Sequence, residues 1–300
     1  MLWDEILRRS KHFNVEAEVI FREEVQKTVL TYLSLKRFFS DAVLQGGTAL
    51  RLFYGSPRFS EDLDFVFTAR DSKAFSTAEH WLHGVETFVM QNFPFIQEAS
   101  LNEQRENGSL RWFVLRAKTA TVRRSLRINI ELANVLSYHH NVAVLQQPPL
   151  NPAVRVESPS EIMADKVVAI ALRDYIKGRD LWDIIFLSEN RNVGIDVSLT
   201  AQKATDYGSN QDEFYEKLLA AAERIRKGGV ASLEREMVRF LPGSVAPLYV
   251  PKVEEMVEKV TALLATVATN LRHILEAQND AADRVAKLFS AKRPQKGFRL

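Results

Sequence analysis

The 300-residue sequence has no cysteine, a formal net charge of only +2 and no long apolar run. Without cysteine the chain cannot form disulfides, thiolate metal sites or a cysteine nucleophile, and it suits a reducing compartment. A net charge this small gives no overall attraction to nucleic acid, so any basic surface must be local. No apolar run approaches the ~20 residues of a membrane span. The opening residues, MLWDEILRRS, lack the apolar core of a secretory signal. We therefore expect a cytoplasmic protein without membrane contact.

The composition, 46% hydrophobic and 26% charged, is typical of a globular protein. Strand and helix patterns alternate up to about residue 190, and only helical patterns follow. We predict a core of residues 1–190 that includes N-terminal helices, a helical C-terminal domain of residues 191–290, and a basic tail of residues 291–300 without fixed structure. Within the helical C-terminal domain we expect helices over Asp212–Lys227, Gly229–Phe240 and Pro251–Ser290.

Four further elements are predicted within the core. Ser76–Phe93 has the pattern of one helix, and Arg111–Lys118 and Ser125–Leu132 have the pattern of two strands joined by a polar turn. A capping box at Ser158 begins a helix that we expect to reach about Ile176.

The stretch Gln45–Asp64, QGGTALRLFYGSPRFSEDLD, is the most informative part of the chain. It contains Gly46 and Gly47 at the predicted start of a helix, and glycine lets backbone N–H groups approach a phosphate. It ends at a strand in which Asp62 and Asp64 are two residues apart and therefore point to one face. This order predicts a nucleotide and metal site.

A third carboxylate, Glu131, lies on the polar face of the predicted strand Ser125–Leu132. Two or three carboxylates together with substrate phosphates can hold Mg²⁺, and paired metal ions can align a phosphoryl transfer. Asp62, Asp64 and Glu131 converge if their strands share a sheet, but the sequence does not reveal strand order. An isolated Asp-x-Asp is more often a solvated strand edge, an isolated glutamate a surface residue, and a glycine pair an ordinary turn.

Two blocks of sequence resemble one enzyme family. Gly46–Leu50 with Arg58–Phe65 resembles the opening signature of the polymerase-β-type nucleotidyltransferase superfamily, and more narrowly that of the AbiEii/AbiGii (MenT-like) toxin nucleotidyltransferases. Ala164–Ile170, Arg173 and Lys177–Asp183 resemble the later Lys…Arg-Asp-x-x-Asp signature of the same family. The resemblance covers about Ala42–Leu187. It implies an α+β fold with a polymerase-β-like core, a mixed sheet flanked by helices, and a C-terminal helical domain.

The resemblance, joined to the chemistry of the side chains, implies a role for each residue. The implied metal ligands are Asp62, Asp64 and Glu131, and Glu131 is alternatively the base for the attacking hydroxyl. The implied nucleotide-binding residues are Gly46, Gly47, Thr48, Arg58, Ser60, Lys166 and Arg179. The implied catalytic set is Asp62, Asp64, Glu131, Lys166 and Asp183.

Structural roles are the alternatives for several of these residues. Lys166 is alternatively a helix-face lysine that extends to solvent. Arg179 and Asp183, spaced i, i+4, could simply pair with each other. Arg58 and Ser60 could only fix the turn before the strand.

The family further implies a reaction and partners. With Mg²⁺ or Mn²⁺, an acceptor hydroxyl attacks the α-phosphorus of a nucleoside triphosphate and releases pyrophosphate. The implied acceptor is RNA, above all the tRNA 3′ end, so that translation is blocked, and a cognate antitoxin is encoded nearby. One alternative is a nucleotidyltransferase whose acceptor is a protein or a small molecule. The other is a non-catalytic nucleotide-binding module. The basic residues of the predicted hairpin are an RNA-phosphate surface or merely solvated: Arg111, Arg116, Lys118, Arg123, Arg124 and Arg127.

Overall fold

A seven-stranded mixed sheet is the framework of the protein. The structure is a computed structural model that describes residues 1–120 and 125–291, with side chains up to residue 277. Its strands are β1 (Ala42–Gln45), β2 (Asp62–Phe67), β3 (Ile96–Glu106), β4 (Leu110–Thr119), β5 (Leu126–Leu136), β6 (His140–Val144) and β7 (Ala153–Glu157). They are ordered β3-β4-β5-β2-β1-β7-β6. The β2–β5 and β1–β7 pairs are parallel, and the other neighbours are antiparallel.

Helices precede, interrupt and follow the sheet. They are α1 (Trp3–Phe13), α2 (Ala17–Leu35), α3 (Gly46–Phe53), α4 (Lys73–Ser76), α5 (Ala78–Leu82), α6 (Val85–Asn92), α7 (Pro159–Leu172), α8 (Gly178–Ile185), α9 (Val197–Asp206), α10 (Gln211–Phe240), α11 (Ala246–Tyr249) and α12 (Val253–Ala291). Short 3₁₀ turns occur at Phe38–Ser40 and Val250–Lys252, and a π-helical turn at Phe186–Asn190. The mixed sheet with flanking helices confirms the expected α+β class. None of the described helices is long and apolar enough to cross a membrane.

Side-chain alternation divides the central strands into two faces. Leu63, Phe65 and Phe67 of β2 are fully buried and belong to the main hydrophobic core, as does Ile130 of β5. The residues between them on β2 point to the opposite face, where Asp62 and Asp64 lie. The central strands therefore bury one face in the core and present a row of carboxylates on the other.

Four of the expected helices differ from the observed ones. The single helix expected over Ser76–Phe93 is two short helices, α5 and α6, because the chain turns between them at Gly84, whose φ is +88°. The helix that begins after Ser158 ends at Leu172 instead of Ile176, because Arg173 adopts an extended conformation. The two helices expected on either side of Gly228 are one thirty-residue helix, α10.

Packing explains why the glycines of α10 do not end the helix. A Cβ added at Gly229 would lie 3.0 Å from the Ile225 side chain and 3.1 Å from that of Val257. Gly229 therefore allows α10 and α12 to approach closely, and tertiary contact outweighs its low helix propensity. Strand β3 was not expected, because Ile96–Glu106 is mostly polar and lies at the edge of the sheet, where alternation is weak.

Residues on both sides of position 190 share one hydrophobic core, which includes Leu44 of β1, Phe240 of α10 and Leu264 of α12. The Phe59 N–H donates to the Phe240 carbonyl at 2.9 Å. A buried cation on α9, Lys203, lies 2.8 Å from the Glu161 carboxylate on α7. The domain boundary at residue 190 stays a prediction, and the tail after Ala291 lies outside the described residues, as do Arg123 and Arg124.

Candidate active site

The parallel pairing of β2 with β5 brings the predicted carboxylates together. Asp64 stands opposite Glu131 and Asp62 stands opposite Asn129, while Gln45 of β1 flanks Asp64 on the other side. Because directly paired residues share a sheet face, the three acids face the same way. They line one cavity of about 310 Å³. Six further residues that the sequence indicated line it too: Gly46, Gly47, Arg58, Ser60, Lys166 and Arg179.

The glycine pair is more than an ordinary turn. Gly46 has φ +73°, and a Cβ added there would lie 2.9 Å from Asp64 Oδ2. A Cβ on Gly47 would lie 2.5 Å from Arg58 Nη2, which is closer than real Cβ contacts permit. Both positions therefore let the backbone at the start of α3 reach the carboxylates and the guanidinium.

Two of the expected site residues lie outside the cavity. The hydroxyl of Thr48 is buried and donates to the backbone carbonyl of Asp62. It therefore holds the start of β2, which corrects the expectation that it donates to phosphate. Asp183 is fully buried behind the cavity wall. It accepts from Arg58 Nη2 at 2.8 and 3.0 Å and from Arg58 Nε at 3.1 Å.

Both carboxylate oxygens of Asp62 have protein partners. Asn129 Nδ2 donates to Oδ1 at 2.7 Å, and Arg179 Nη2 donates to Oδ2 at 2.9 Å. Arg179 thus pairs with the acidic strand, and not with Asp183 as the i, i+4 alternative proposed. Asn129 was not predicted as a site residue, although it lies two residues before Glu131 and alternation places it on the same face.

The negative charges of Asp64 and Glu131 are less well stabilised by neighbouring groups than that of Asp62. Burial raises the pKa of Asp64 to about 7, the charges of Asp62 and Glu131 add to the rise, and Lys166 and Arg179 oppose it. The pKa of Glu131 is also raised, first by burial and then by Asp62. Because the two acids lie side by side on adjacent strands, the charge of Glu131 opposes ionisation of Asp64.

Lys166 is held in the wall of the cavity. Its Nζ lies 2.8 Å from Asp180 Oδ1 and 2.7 Å from Asp183 Oδ2, and only 13% of the side chain is exposed. Burial opposes its charge, but Asp180 and Asp183 outweigh burial and raise the pKa. Lys166 is therefore a fixed cation, and not a lysine that extends to solvent. Asp180 binds both Lys166 and Arg173.

Two other trios of acids have carboxylate oxygens within 4.8 Å of one another among the described residues. One trio is Glu157, Glu161 and Asp165, and it surrounds Lys203. The other is Glu79, Glu103 and Glu106, and the first two of these bind the buried guanidinium of Arg111.

Lys203 and Arg111 each form ion pairs with acids of their trio, so we interpret the trios as ion-pair clusters. Arg111 is consequently not part of a basic surface on the hairpin, a correction to the set considered from the sequence. Asp62, Asp64 and Glu131 are not gathered this tightly, so sharing an ion requires their side chains to move.

The raised pKa of Asp64 predicts that Mg²⁺ stabilises the protein more at about pH 8 than at about pH 6. An acid whose pKa rises on folding destabilises the folded state once it ionises. That cost is full above a pH of about 7 and is lost as the pH falls toward the ordinary value of 3.8. Thermal unfolding at both pH values, with and without Mg²⁺ at constant ionic strength, measures the effect. An equal rise in Tm at the two pH values would contradict it.

The site and the fold define a nucleotidyltransferase, and comparison with known proteins agrees. The model of the family described as nucleotidyl transferase AbiEii toxin, Type IV TA system, matches residues 28–259. The chain therefore belongs to the AbiEii toxin family. A search of curated proteins finds no match.

Two solved structures are similar to this chain. A candidate nucleotidyltransferase from H. pylori superposes with a TM-score of 0.51 at 17% identity, covering 87% of this chain and 99% of that one. JHP933 from Helicobacter pylori gives a TM-score of 0.48 at 18% identity, covering 89% of this chain and 99% of that one. At 17% identity, the similarity to the first of these structures is evidence for the fold alone.

Proposed function

We propose that this toxin transfers a nucleoside monophosphate from a nucleoside triphosphate to an RNA acceptor in the cytoplasm. The tRNA 3′ end is the leading acceptor, so that modification blocks aminoacylation and translation, and a nearby gene encodes the antitoxin. One observation supports the chemistry above all others. Asp64 and Glu131 are neighbours in parallel strands, directly beside the glycine turn that begins α3.

The donor set fits Mg²⁺ or Mn²⁺. Asp62, Asp64 and Glu131 offer hard oxygen ligands, and a bound cation would offset the burial and the repulsion between acids that raise the pKa values of Asp64 and Glu131. These three residues would hold the metal, which would neutralise negative charge on the phosphates during transfer. Arg179 would then leave Asp62 Oδ2 and become available to the triphosphate.

The remaining residues have separate tasks in this proposal. Glu131, with its raised pKa, accepts the proton of the attacking hydroxyl, and the pyrophosphate leaves from the α-phosphorus. The N–H groups of Gly46 and Gly47 bind phosphate oxygens. Lys177 also lines the cavity, and burial together with the cations Arg179 and Arg173 lowers its pKa. The negative charge of a bound phosphate would oppose this lowering and favour the charged form of Lys177.

Incubation with each labelled nucleoside triphosphate and total RNA tests the proposal. We expect label on RNA, release of pyrophosphate, and loss of both when metal is chelated. Sequencing of labelled RNA ends identifies the acceptor. Label on protein or on a small molecule, with RNA unlabelled, would overturn the RNA acceptor while keeping the chemistry. Nucleotide binding without any transfer would favour the alternative that the protein is a non-catalytic nucleotide-binding module.

A further inference from the structure

The sheet face that carries the carboxylates continues onto β4, where it presents Trp112. Trp112 pairs directly with Glu131 across the β4–β5 ladder, so the indole and this carboxylate share one face. Neighbouring strands lie about 4.8 Å apart, which places the side chains in adjacent positions. The indole is only partly buried. An aromatic surface therefore lies beside the proposed base for the attacking hydroxyl.

Trp112 is fixed by its neighbours on β5. The guanidinium carbon of Arg127 lies 5.5 Å from the centre of the indole, in the range of a cation–π contact. Trp112 Nε1 lies 3.4 Å from Asn129 Oδ1, and Arg127 Nε donates to the same oxygen at 3.1 Å. These contacts orient the Asn129 amide so that its Nδ2 donates to Asp62.

Cations surround Trp112 on the same face. Arg105 of β3 is its pairing partner on the other side, and Arg116 pairs with Arg127. In the described part of the chain Arg105, Arg116 and Arg127 form no ion pair, whereas Lys118 pairs with Glu98 at 3.7 Å. Helix α6 packs on β3, and α2 packs on β5. Arg105 and Arg127 are exposed.

We propose that Trp112 stacks on the unpaired 3′-terminal base of the RNA acceptor, with Arg105, Arg116 and Arg127 binding the neighbouring phosphates. The inference rests on the proposed function, and it adds the residue that positions the acceptor. Aromatic side chains beside cations bind single-stranded nucleic acid in this way, because every base offers a stacking face. Stacking here leaves the terminal hydroxyl of the RNA close to Glu131.

Two variants separate stacking from a purely structural role. Trp112→Phe keeps an aromatic face and removes the N–H that contacts Asn129, whereas Trp112→Leu removes both. If stacking matters, Trp112→Leu raises the KM for RNA roughly tenfold to a hundredfold. Trp112→Phe then stays within a few-fold of wild type, and the KM for the nucleoside triphosphate is unchanged in both.

The test uses the full chain, a labelled nucleoside triphosphate and a single-stranded oligoribonucleotide ending in the tRNA acceptor sequence. Binding of the same oligonucleotide, without metal or nucleotide, is measured by fluorescence anisotropy. Arg116→Gln should weaken binding and reduce its salt dependence, while Arg226→Gln, an exposed arginine on α10, serves as the matched control.

Three results would overturn the inference. Equal loss of kcat in Trp112→Phe and Trp112→Leu, with the KM for RNA unchanged, would assign Trp112 to positioning Asp62 through Asn129. Wild-type kinetics in both variants would remove any role in acceptor binding. Failure of the wild-type protein to label RNA would instead refute the proposed function, and the acceptor site would fall with it.

Discussion

Asp64→Asn should reduce nucleotidyl transfer by about a thousandfold or more and abolish growth arrest on expression, without loss of folding. The substitution removes a proposed metal ligand and the central charge of the carboxylate row. It also removes a buried negative charge beside Asp62 and Glu131. The free energy of unfolding of the metal-free protein should therefore increase above a pH of about 7, where wild-type Asp64 is ionised.

This combination of lost activity and gained stability distinguishes a functional acid from a structural one. Asp212→Asn, at an exposed position in the first turn of α10, is the matched control and should retain activity. Asp62→Asn should lose activity too. A folded Asp64→Asn protein that still transfers nucleotide, or that remains toxic, would refute the role proposed for the carboxylates.

Asp183→Ala should destabilise the protein by about 3–5 kcal/mol, because it leaves Arg58 buried without its partner. Arg58 and Asp183 are 2% and 0% exposed, and Lys166 loses a carboxylate contact in the same variant. Denaturant unfolding followed by circular dichroism measures the loss. We expect the transfer activity of the fraction that stays folded to fall as well, since Arg58 and Lys166 line the cavity.

A double variant, Arg58→Met with Asp183→Leu, provides the internal test. It removes both charges, so it should recover much of the stability lost in Asp183→Ala while activity stays low. Glu189→Ala breaks an exposed pair with Lys259 and should change stability little. If Asp183→Ala were no more destabilising than Glu189→Ala, the buried pair would not be a major support of the site.

The residue types of the site were predictable, but their pairing was not. Gly46, Gly47, Asp62 and Asp64 form a continuous pattern whose order indicates their chemistry. The position of Glu131 depends on the parallel register of β2 with β5, which is set by long-range packing. Asn129 was not predicted as a site residue because an amide on a strand face has no spacing that is characteristic of a catalytic or binding role.

Local patterns also failed where tertiary contact decides the outcome. Thr48 is chemically suited to bind phosphate, yet its hydroxyl satisfies the carbonyl of Asp62. Gly229 is a helix breaker by propensity, yet it lies inside α10 where α12 packs closely. The exposed edge strand β3 has a polar sequence that resembles a loop.

The contact between Phe59 and Phe240 has a consequence for synthesis of the toxin. The loop that leads into the acidic strand is bonded to the last residue of α10, and the only cation bound to Glu157 and Glu161 in the described chain is Lys203 of α9. A chain that ends before residue 240 lacks the Phe59–Phe240 hydrogen bond, and one that ends before residue 203 also leaves Glu157 and Glu161 without their cation. We therefore expect a premature stop codon upstream of these positions to destabilise the loop before β2 and the buried glutamates.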